Sequence, residues 1–214
     1  MLTLFDYLPS QNAWKIRQLL AHLQTPYRTQ HVSIFEGAGQ SDAYRAINPA
    51  GTVPAIRLDD GRVLAESNAI LAFLADGTRY LPDDAFARAK VQQWLSFEQN
   101  HVESQIGSLR YWTMTGKLPR RAPALVEAKR AASLRALRIL DEELATRPFI
   151  TGAGYTIADI SLFAYASRAE DAGLSLQPHP HFRAWLARVA AQPRFLAQVH
   201  PYSIDPHAMG ELPG

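Results

Sequence analysis

Residues 2–33 leave this chain little choice of fold. Leu2 to Asp6 (LTLFD) is a short apolar-rich strand, and Tyr27 to Ser33 (YRTQHVS) alternates enough to be a second one. Between them, after the turn Tyr7-Leu8-Pro9-Ser10, a helix from about Asn12 to Leu23 carries Trp14, Ile16, Leu19, Leu20 and Leu23 on one face. Strand, helix and strand in so short a span make a parallel βαβ unit with a right-handed crossover.

The next segment changes the pattern. Ile34 to Gln40 (IFEGAGQ) is glycine-punctuated and reads as a loop. Ser41 to Ile47 reads as a helical turn ended by Asn48-Pro49, since a residue before proline is biased out of the helical region. Val53 to Leu58 is a strand, Asp60-Gly61 a hairpin turn, and Val63 to Ala65 pairs back antiparallel. From Ser67 a helix begins, with Ile70, Leu71, Phe73 and Leu74 as its apolar stripe, closed by Asp76-Gly77. Residues 1–77 therefore form one α/β domain, βαβ followed by ββα, and residues 78–84 (TRYLPDD) a connector.

From residue 85 the periodicity is helical throughout. Ala85 to Met114 places Val91, Leu95, Val102, Ile106 and Leu109 on one stripe, and Ala122 to Ala145 does the same with Leu125, Leu134, Leu137, Ile139, Leu140 and Leu144. Phe182 to Val189 and Phe195 to Val199 read as shorter helical pieces, and the last fifteen residues as an irregular, proline-containing tail. Thr156-Ile157-Ala158-Asp159 has capping-box spacing ahead of an apolar run, with Tyr155 and Ile160 placed for a hydrophobic staple. Residues 85–214 are thus expected to be an all-helical domain.

Composition removes several function classes. The 22 basic and 20 acidic residues leave a net charge of +2, no electrostatic case for nucleic acid or an anionic membrane. No apolar run approaches the roughly 20 residues of a membrane span, and the N-terminus lacks the basic start of a secretory signal, so the expected compartment is the cytoplasm. The chain has no Cys, which excludes disulfides, thiolate metal sites and a protein thiol nucleophile. His179-Pro180-His181 is the only close His pair, and its proline denies the two rings a shared helical face; no metal site is expected.

Three places could carry chemistry. Val53-Pro54 has two readings: it opens a strand, where proline's missing N–H is tolerated, or with a cis bond it would leave the Val53 backbone turned outward for an extended peptide. Glu66-Ser67 is first a helix cap, yet the same geometry is an anion site with an acceptor for an ammonium group beside it. The turn Tyr7 to Asn12 lies at the C-terminal end of the first strand, where Ser10 or Asn12 could cap the helix or donate to a thiolate. No His-Asp partner is evident near Ser10, so a triad-type nucleophile is not expected.

In order along the chain, SQNAWKIR, NPAGTVPAI, LAESNAILAFLA, WLSFEQNHVESQIGSLRYW and FITGAGYTIADISLFAY resemble segments of the glutathione transferase family, and the likeness covers essentially the whole chain. The SQNAWKIR opening is similar to that of bacterial, theta-like or nu-like serine-type members. The resemblance implies a thioredoxin-like N-terminal domain followed by a helical bundle, with glutathione as co-substrate, no metal, and a homodimer. It implies that Val53 pairs with the cysteinyl part of glutathione while Pro54 holds the turn. Glu66 and Ser67 would hold the γ-glutamyl amine and carboxylate, and Gln40 would meet the glycyl end. Ser10 would donate to the sulfur with Asn12 as helper or substitute, and Tyr7, followed two residues later by Pro9, is the rival. Thr52 stands where many relatives have a basic residue, and His101 is displaced by one position from the histidine of related long helices.

The activity so implied is glutathione conjugation to a hydrophobic electrophile, with Tyr111, Trp112 and Met114 as candidate walls of its site. The alternatives are a glutathione-dependent disulfide or peroxide reductase, in which glutathione supplies both thiols, and a non-catalytic glutathione-binding module.

Overall fold

The computed structural model describes residues 1–152, 154–210 and 212. The chain divides into two compact units, one of Met1–Asp76 with Pro193–Leu212, the other centred on Gly77–Gln192. This differs from the expected division at one point: the tail assigned by sequence to the helical domain packs with the N-terminal unit.

The N-terminal unit is built on a four-stranded sheet of β1 (Leu2–Asp6), β2 (Tyr27–His31), β3 (Ala55–Arg57) and β4 (Val63–Ala65), ordered β2-β1-β3-β4. β1 and β2 are parallel, with Leu2 opposite Tyr27 and Asp6 opposite His31; β3 is antiparallel to both β1 and β4. β3 begins later than Val53 because Pro54 has no N–H to give to the ladder. Leu4, Phe5 and Ile56 lie in the middle of the sheet, fully buried. Helix α1 (Gln11–Leu23) makes the crossover, α2 (Asp42–Arg45) is a single turn, and α3 (Ser67–Ala75) follows the hairpin. Phe73, expected on the α3 stripe, is exposed.

Helix α1 is buried nearly all round, including polar positions that its sequence assigns to solvent. The tail explains part of this. Gln18 Oε1 accepts from the Leu196 N–H at 2.7 Å and Gln18 Nε2 donates to the Arg194 carbonyl at 3.2 Å. The Trp14 indole donates to the Leu196 carbonyl at 3.0 Å, and His22 Nδ1 lies 2.8 Å from the Pro193 carbonyl, which makes Nδ1 the protonated nitrogen. The helical piece expected over Phe195 to Val199 is absent: both backbone groups of Leu196 are bonded to α1 side chains, which favours an extended path over a helical turn.

The second unit contains α4 (Ala85–Phe97), α5 (Ser108–Met114), α6 (Pro123–Leu144), α7 (Ile157–Ala166) and α8 (Pro180–Ala190). The single helix expected over Ala85 to Met114 is interrupted by a π-helical stretch, Glu98–Gly107, that joins α4 to α5. Its expected stripe is nonetheless buried, from Val91 to Leu109. Within the stretch, Glu98 is fully buried and accepts from the Ser161 hydroxyl on α7 at 3.1 Å. A Cβ on Gly107 would come 2.9 Å from the Tyr165 ring, so only glycine permits that approach. On α6 the buried line is Ser133, Ala136, Leu137, Leu140 and Leu144; Leu125 and Leu134, expected on the same stripe, are 46% and 42% exposed. Leu134 lies one residue, about 100°, out of that phase.

The capping box at α7 forms as its spacing requires. Thr156 Oγ1 accepts from the Ala158 N–H at 3.3 Å, and Asp159 Oδ2 accepts from the Thr156 N–H at 3.0 Å. Asp159 does more than close the box: its Oδ1 accepts from the Ile150 N–H at 2.9 Å and from the Trp185 indole at 2.8 Å, tying the preceding loop and α8 to α7. Burial pushes its carboxyl up to about 6 against those three donors and the Thr156 hydroxyl, 3.3 Å from Oδ2. A group whose folded pKa exceeds its unfolded value of 3.8 adds stability below about pH 4 and loses it as pH rises through about 6. Urea unfolding of the wild type and Asp159→Asn at pH 4 and pH 7 should show the wild type's relative stability falling by about 3 kcal/mol between the two. A constant difference across that window would contradict this.

Candidate functional site

The β1–α1 turn is fixed from below by one guanidinium. Arg17, buried in α1, pairs with the buried Asp6 carboxylate at the end of β1 and donates to the Leu8 carbonyl at 2.9 Å. Burial pushes the Asp6 carboxyl up, opposed by the Arg17 charge and hydrogen bond. The turn closes with the Ser10 N–H on the Tyr7 carbonyl at 2.8 Å. Ser10 is the N-cap of α1, and its Oγ accepts from the Ala13 N–H at 3.2 Å. Accepting with a lone pair leaves the hydroxyl proton for donation outward, and Ser10 is half-buried at the positive end of a thirteen-residue helix.

Tyr7 has a different environment. Its ring is completely buried and stacks on Tyr202 of the tail at 6.5 Å, with Phe35 and His31 at its other edges. Its hydroxyl is directed to Asp205. Burial pushes the Asp205 carboxyl up, but hydrogen bonds from Ser33, the His207 N–H and Tyr7, with the His207 charge, hold it below its ordinary value. The Ser33 hydroxyl donates to Asp205 Oδ2 at 2.6 Å and accepts from the Glu36 N–H at 3.0 Å. The tail thereby anchors both Tyr7 and the beginning of the loop that carries Gln40.

That loop and the NPAGTVP loop meet through glycine. A Cβ on Gly39 would lie 2.2 Å from the Gly51 carbonyl oxygen, and one on Gly51, at φ +67°, would lie 2.6 Å from Gln40 Nε2. The Gln40 side chain therefore lies over Gly51, two residues from Val53. The Thr52 carbonyl is held by the Tyr44 hydroxyl and Asn48 Nδ2, each at 2.7 Å, which secures the residue ahead of the cis Val53–Pro54 peptide. Thr52 Oγ1 lies 3.2 Å from Asn48 Nδ2, so the residue without the family's basic group has a local role in this loop.

Glu66 and Ser67 sit at the start of α3, with one correction to the expected capping. Glu66, not Ser67, occupies the cap position, and its side chain makes no capping bond. Glu66 is exposed with φ +66° and ψ 112°, an unfavourable conformation for a residue with a Cβ. Ser67 is buried, and its hydroxyl donates to Asn12 Oδ1 at 3.2 Å. The α3 N-terminus thus keeps its leading N–H groups without a side-chain cap, the arrangement that attracts anions.

The Ser67–Asn12 bond joins the beginnings of α1 and α3. It places Asn12, expected to help at the sulfur, with the residue expected to hold a carboxylate. Lys15, which the sequence marked only as part of a spacing, belongs to the same group: it is fully buried with Nζ 3.5 Å from Ser67 Oγ. A lysine between Trp14 and Ile16, one helical turn after Asn12, was the only sequence signal for it.

In the helical unit Tyr111, Trp112 and Met114 are half-buried. Lys117 lies over the Tyr111 ring, and Arg121 and Lys129 over Trp112. His101 is exposed, with its ring against Phe97. Among the described residues no group of three or more His, Cys, Asp or Glu could hold a metal, and no helix is long and apolar enough to cross a membrane.

The loop contact is directly testable. Gly37, at φ +81°, faces open space, whereas Gly39 faces backbone. Gly39→Ala should lower the urea-unfolding stability by about 2 kcal/mol or more through overpacking. Gly37→Ala should cost about 1 kcal/mol from its backbone conformation alone. Equal effects would mean that the two loops do not touch as described.

Residues 9–76 match the family model for the glutathione S-transferase N-terminal domain, and residues 123–188 that for the C-terminal domain. A glutathione S-transferase structure from Pseudomonas fluorescens superposes with a TM-score of 0.88 at 36% identity, covering 91% of this chain and 97% of that one. A glutathione transferase from Burkholderia graminis, with two glutathione molecules bound per subunit, gives 0.79 at 28% identity over 90% and 85% of the two chains. The disulfide-bond oxidoreductase YfcG of Escherichia coli is 26% identical over 87% of this chain and 89% of its own.

Proposed function

The chain belongs to the glutathione S-transferase family, and from that premise we propose that it binds glutathione on its N-terminal unit, activates the thiol and conjugates it to a hydrophobic electrophile. The observation that carries the reading is the Ser67–Asn12 hydrogen bond, which brings two helix N-termini together. One suits a carboxylate and the other a thiolate. The uncapped start of α3 receives the γ-glutamyl carboxylate on Ser67, and the Glu66 carboxylate accepts from the amine. The Val53 backbone pairs with the cysteinyl residue beside Pro54, and Gln40, over Gly51, meets the glycyl end.

The sulfur lies at the start of α1, where the Ser10 hydroxyl donates to it. A free thiol has a pKa near about 8.5; the helix dipole and one donor hydrogen bond lower it, so that more thiolate is present at neutral pH. The thiolate then attacks the electrophile, whose site we assign to the helical unit with Tyr111, Trp112 and Met114 among its walls. Tyr7 is not the donor in this scheme, since its buried ring faces Tyr202 and its hydroxyl Asp205. The same reading carries a cytoplasmic homodimer with a role in detoxification.

A second reading is favoured by one observation: a relative named a disulfide-bond oxidoreductase matches most of this chain's length. With no Cys in the chain, glutathione has to supply both thiols. In that reaction the bound glutathione thiolate attacks a substrate disulfide and releases one thiolate. A second glutathione then resolves the mixed disulfide, giving glutathione disulfide and the second thiol. The Burkholderia graminis relative has two glutathione molecules bound per subunit, which supports this reading.

Three measurements test these readings. Ser10→Ala should raise the pKa of the bound thiol by about 1 unit or more, read from thiolate absorbance, and lower kcat/KM about 100-fold, whereas Tyr7→Phe should leave the absorbance unchanged. The opposite pattern would move the donor to Tyr7. Assays with an aryl halide, a peroxide and a small disulfide decide between transfer and reduction, and binding without turnover on any of them would leave a carrier. Glu66→Gly should raise Tm by relieving the positive φ while weakening glutathione binding; a variant that gains stability and keeps full affinity would remove Glu66 from the site.

A further inference from the structure

Lys15 is a buried charge of the N-terminal unit that the thiol chemistry above does not use. It lies on α1 one turn beyond Asn12, fully buried, with its ammonium 3.5 Å from Ser67 Oγ. An ammonium has only donors, so in this contact the Ser67 oxygen accepts. The Ser67 proton is then directed elsewhere, and in the structure it goes to Asn12 Oδ1 at 3.2 Å. The hydroxyl is therefore held from behind by a cation and from the side by an amide, at the uncapped start of α3.

Burying an ammonium costs desolvation free energy that packing alone does not recover, and a methionine would fill the same volume without that cost. A cation behind a hydroxyl changes what the hydroxyl can do. Donation from Lys15 polarises the Ser67 O–H bond and makes it a stronger donor to an anion, and the low-dielectric surroundings strengthen the direct attraction as well. We propose that Lys15 is a positioning residue that acts through Ser67 to set affinity for the α-carboxylate of the γ-glutamyl residue, making the site selective for peptides that carry a carboxylate at that point. This rests on the glutathione reading above. On binding, the Ser67 proton turns from Asn12 to the carboxylate while Lys15 keeps hold of the oxygen, so the acceptor site on Ser67 is already filled before the ligand arrives.

The test compares two peptides by calorimetry: glutathione, and γ-aminobutyryl-cysteinyl-glycine, which is the same peptide without its α-carboxylate. Lys15→Met should weaken glutathione about tenfold and leave the decarboxylated peptide within about twofold. In a Ser67→Ala background the same substitution should add less than about a further twofold, since its route is already removed. If Lys15→Met does not fold, Lys15→Gln, which keeps a donor and loses the charge, carries the same comparison with a smaller selective loss. Equal weakening of both peptides, or no weakening of either while the wild type binds glutathione, would overturn the role of Lys15 alone. A wild type that binds no glutathione would overturn the proposed function and this role with it.

Discussion

The Arg17–Asp6 ion pair is the constraint on which the N-terminal unit turns. It joins the end of β1 to the interior of α1, and the second donation to the Leu8 carbonyl fixes the turn between them. With that turn in place, Ser10 is set at the beginning of α1 and Tyr7 is directed into the interior. The helix then extends in register, so that Asn12 and Lys15 face the start of α3 while Gln18 and His22 face the tail. One helix thus carries three polar assignments on its circumference, each satisfied by a different part of the unit. Buried polar groups of this kind are costly when any partner is missing, which is why they specify one arrangement rather than a family of similar ones.

The site combines two kinds of backbone economy. At the α3 start a residue with a Cβ is held at positive φ, and the N–H groups behind it lack a side-chain cap; both features work against the stability of the helix. At the loop contact, Gly39 and Gly51 give up side chains so that two backbones can meet. The first is local backbone strain, and the second gives up side-chain volume for proximity. Neither would be chosen for stability alone.

What was legible in the sequence follows from the range over which each signal acts. The strands and the hairpin rest on local pattern, and Leu2–Asp6, Asp60-Gly61 and Val63–Ala65 emerged where expected. The α7 capping box, specified by residues three apart, formed as its spacing implied, but Asp159's bonds to Ile150 and Trp185 depend on packing and left no local trace. The π-helical stretch escaped because one shifted residue barely disturbs an apolar stripe; Val102 and Ile106 remain buried either way. Among the candidate site residues, Ser10 is the α1 N-cap that the sequence allowed, and Val53 precedes the cis peptide that its Pro54 suggested. The Ser67–Asn12 bond joins residues 55 apart in the chain and left no local trace, since a cap and an inward-turned hydroxyl look the same in a string of letters.

The tail gives the fold a requirement in time as well as space. Gln18, His22 and Trp14 find hydrogen-bond partners between Pro193 and Leu196, and Ser33 finds its own at Asp205. During synthesis, which proceeds from the N-terminus, these side chains exist long before their partners have left the ribosome. The N-terminal unit, although first to be made, reaches its finished interior only after the helical unit has been translated in full. An isolated fragment of residues 1–76 would carry a face of α1 whose polar atoms have lost their counterparts, so that the first third of the chain is completed by residues 193–212.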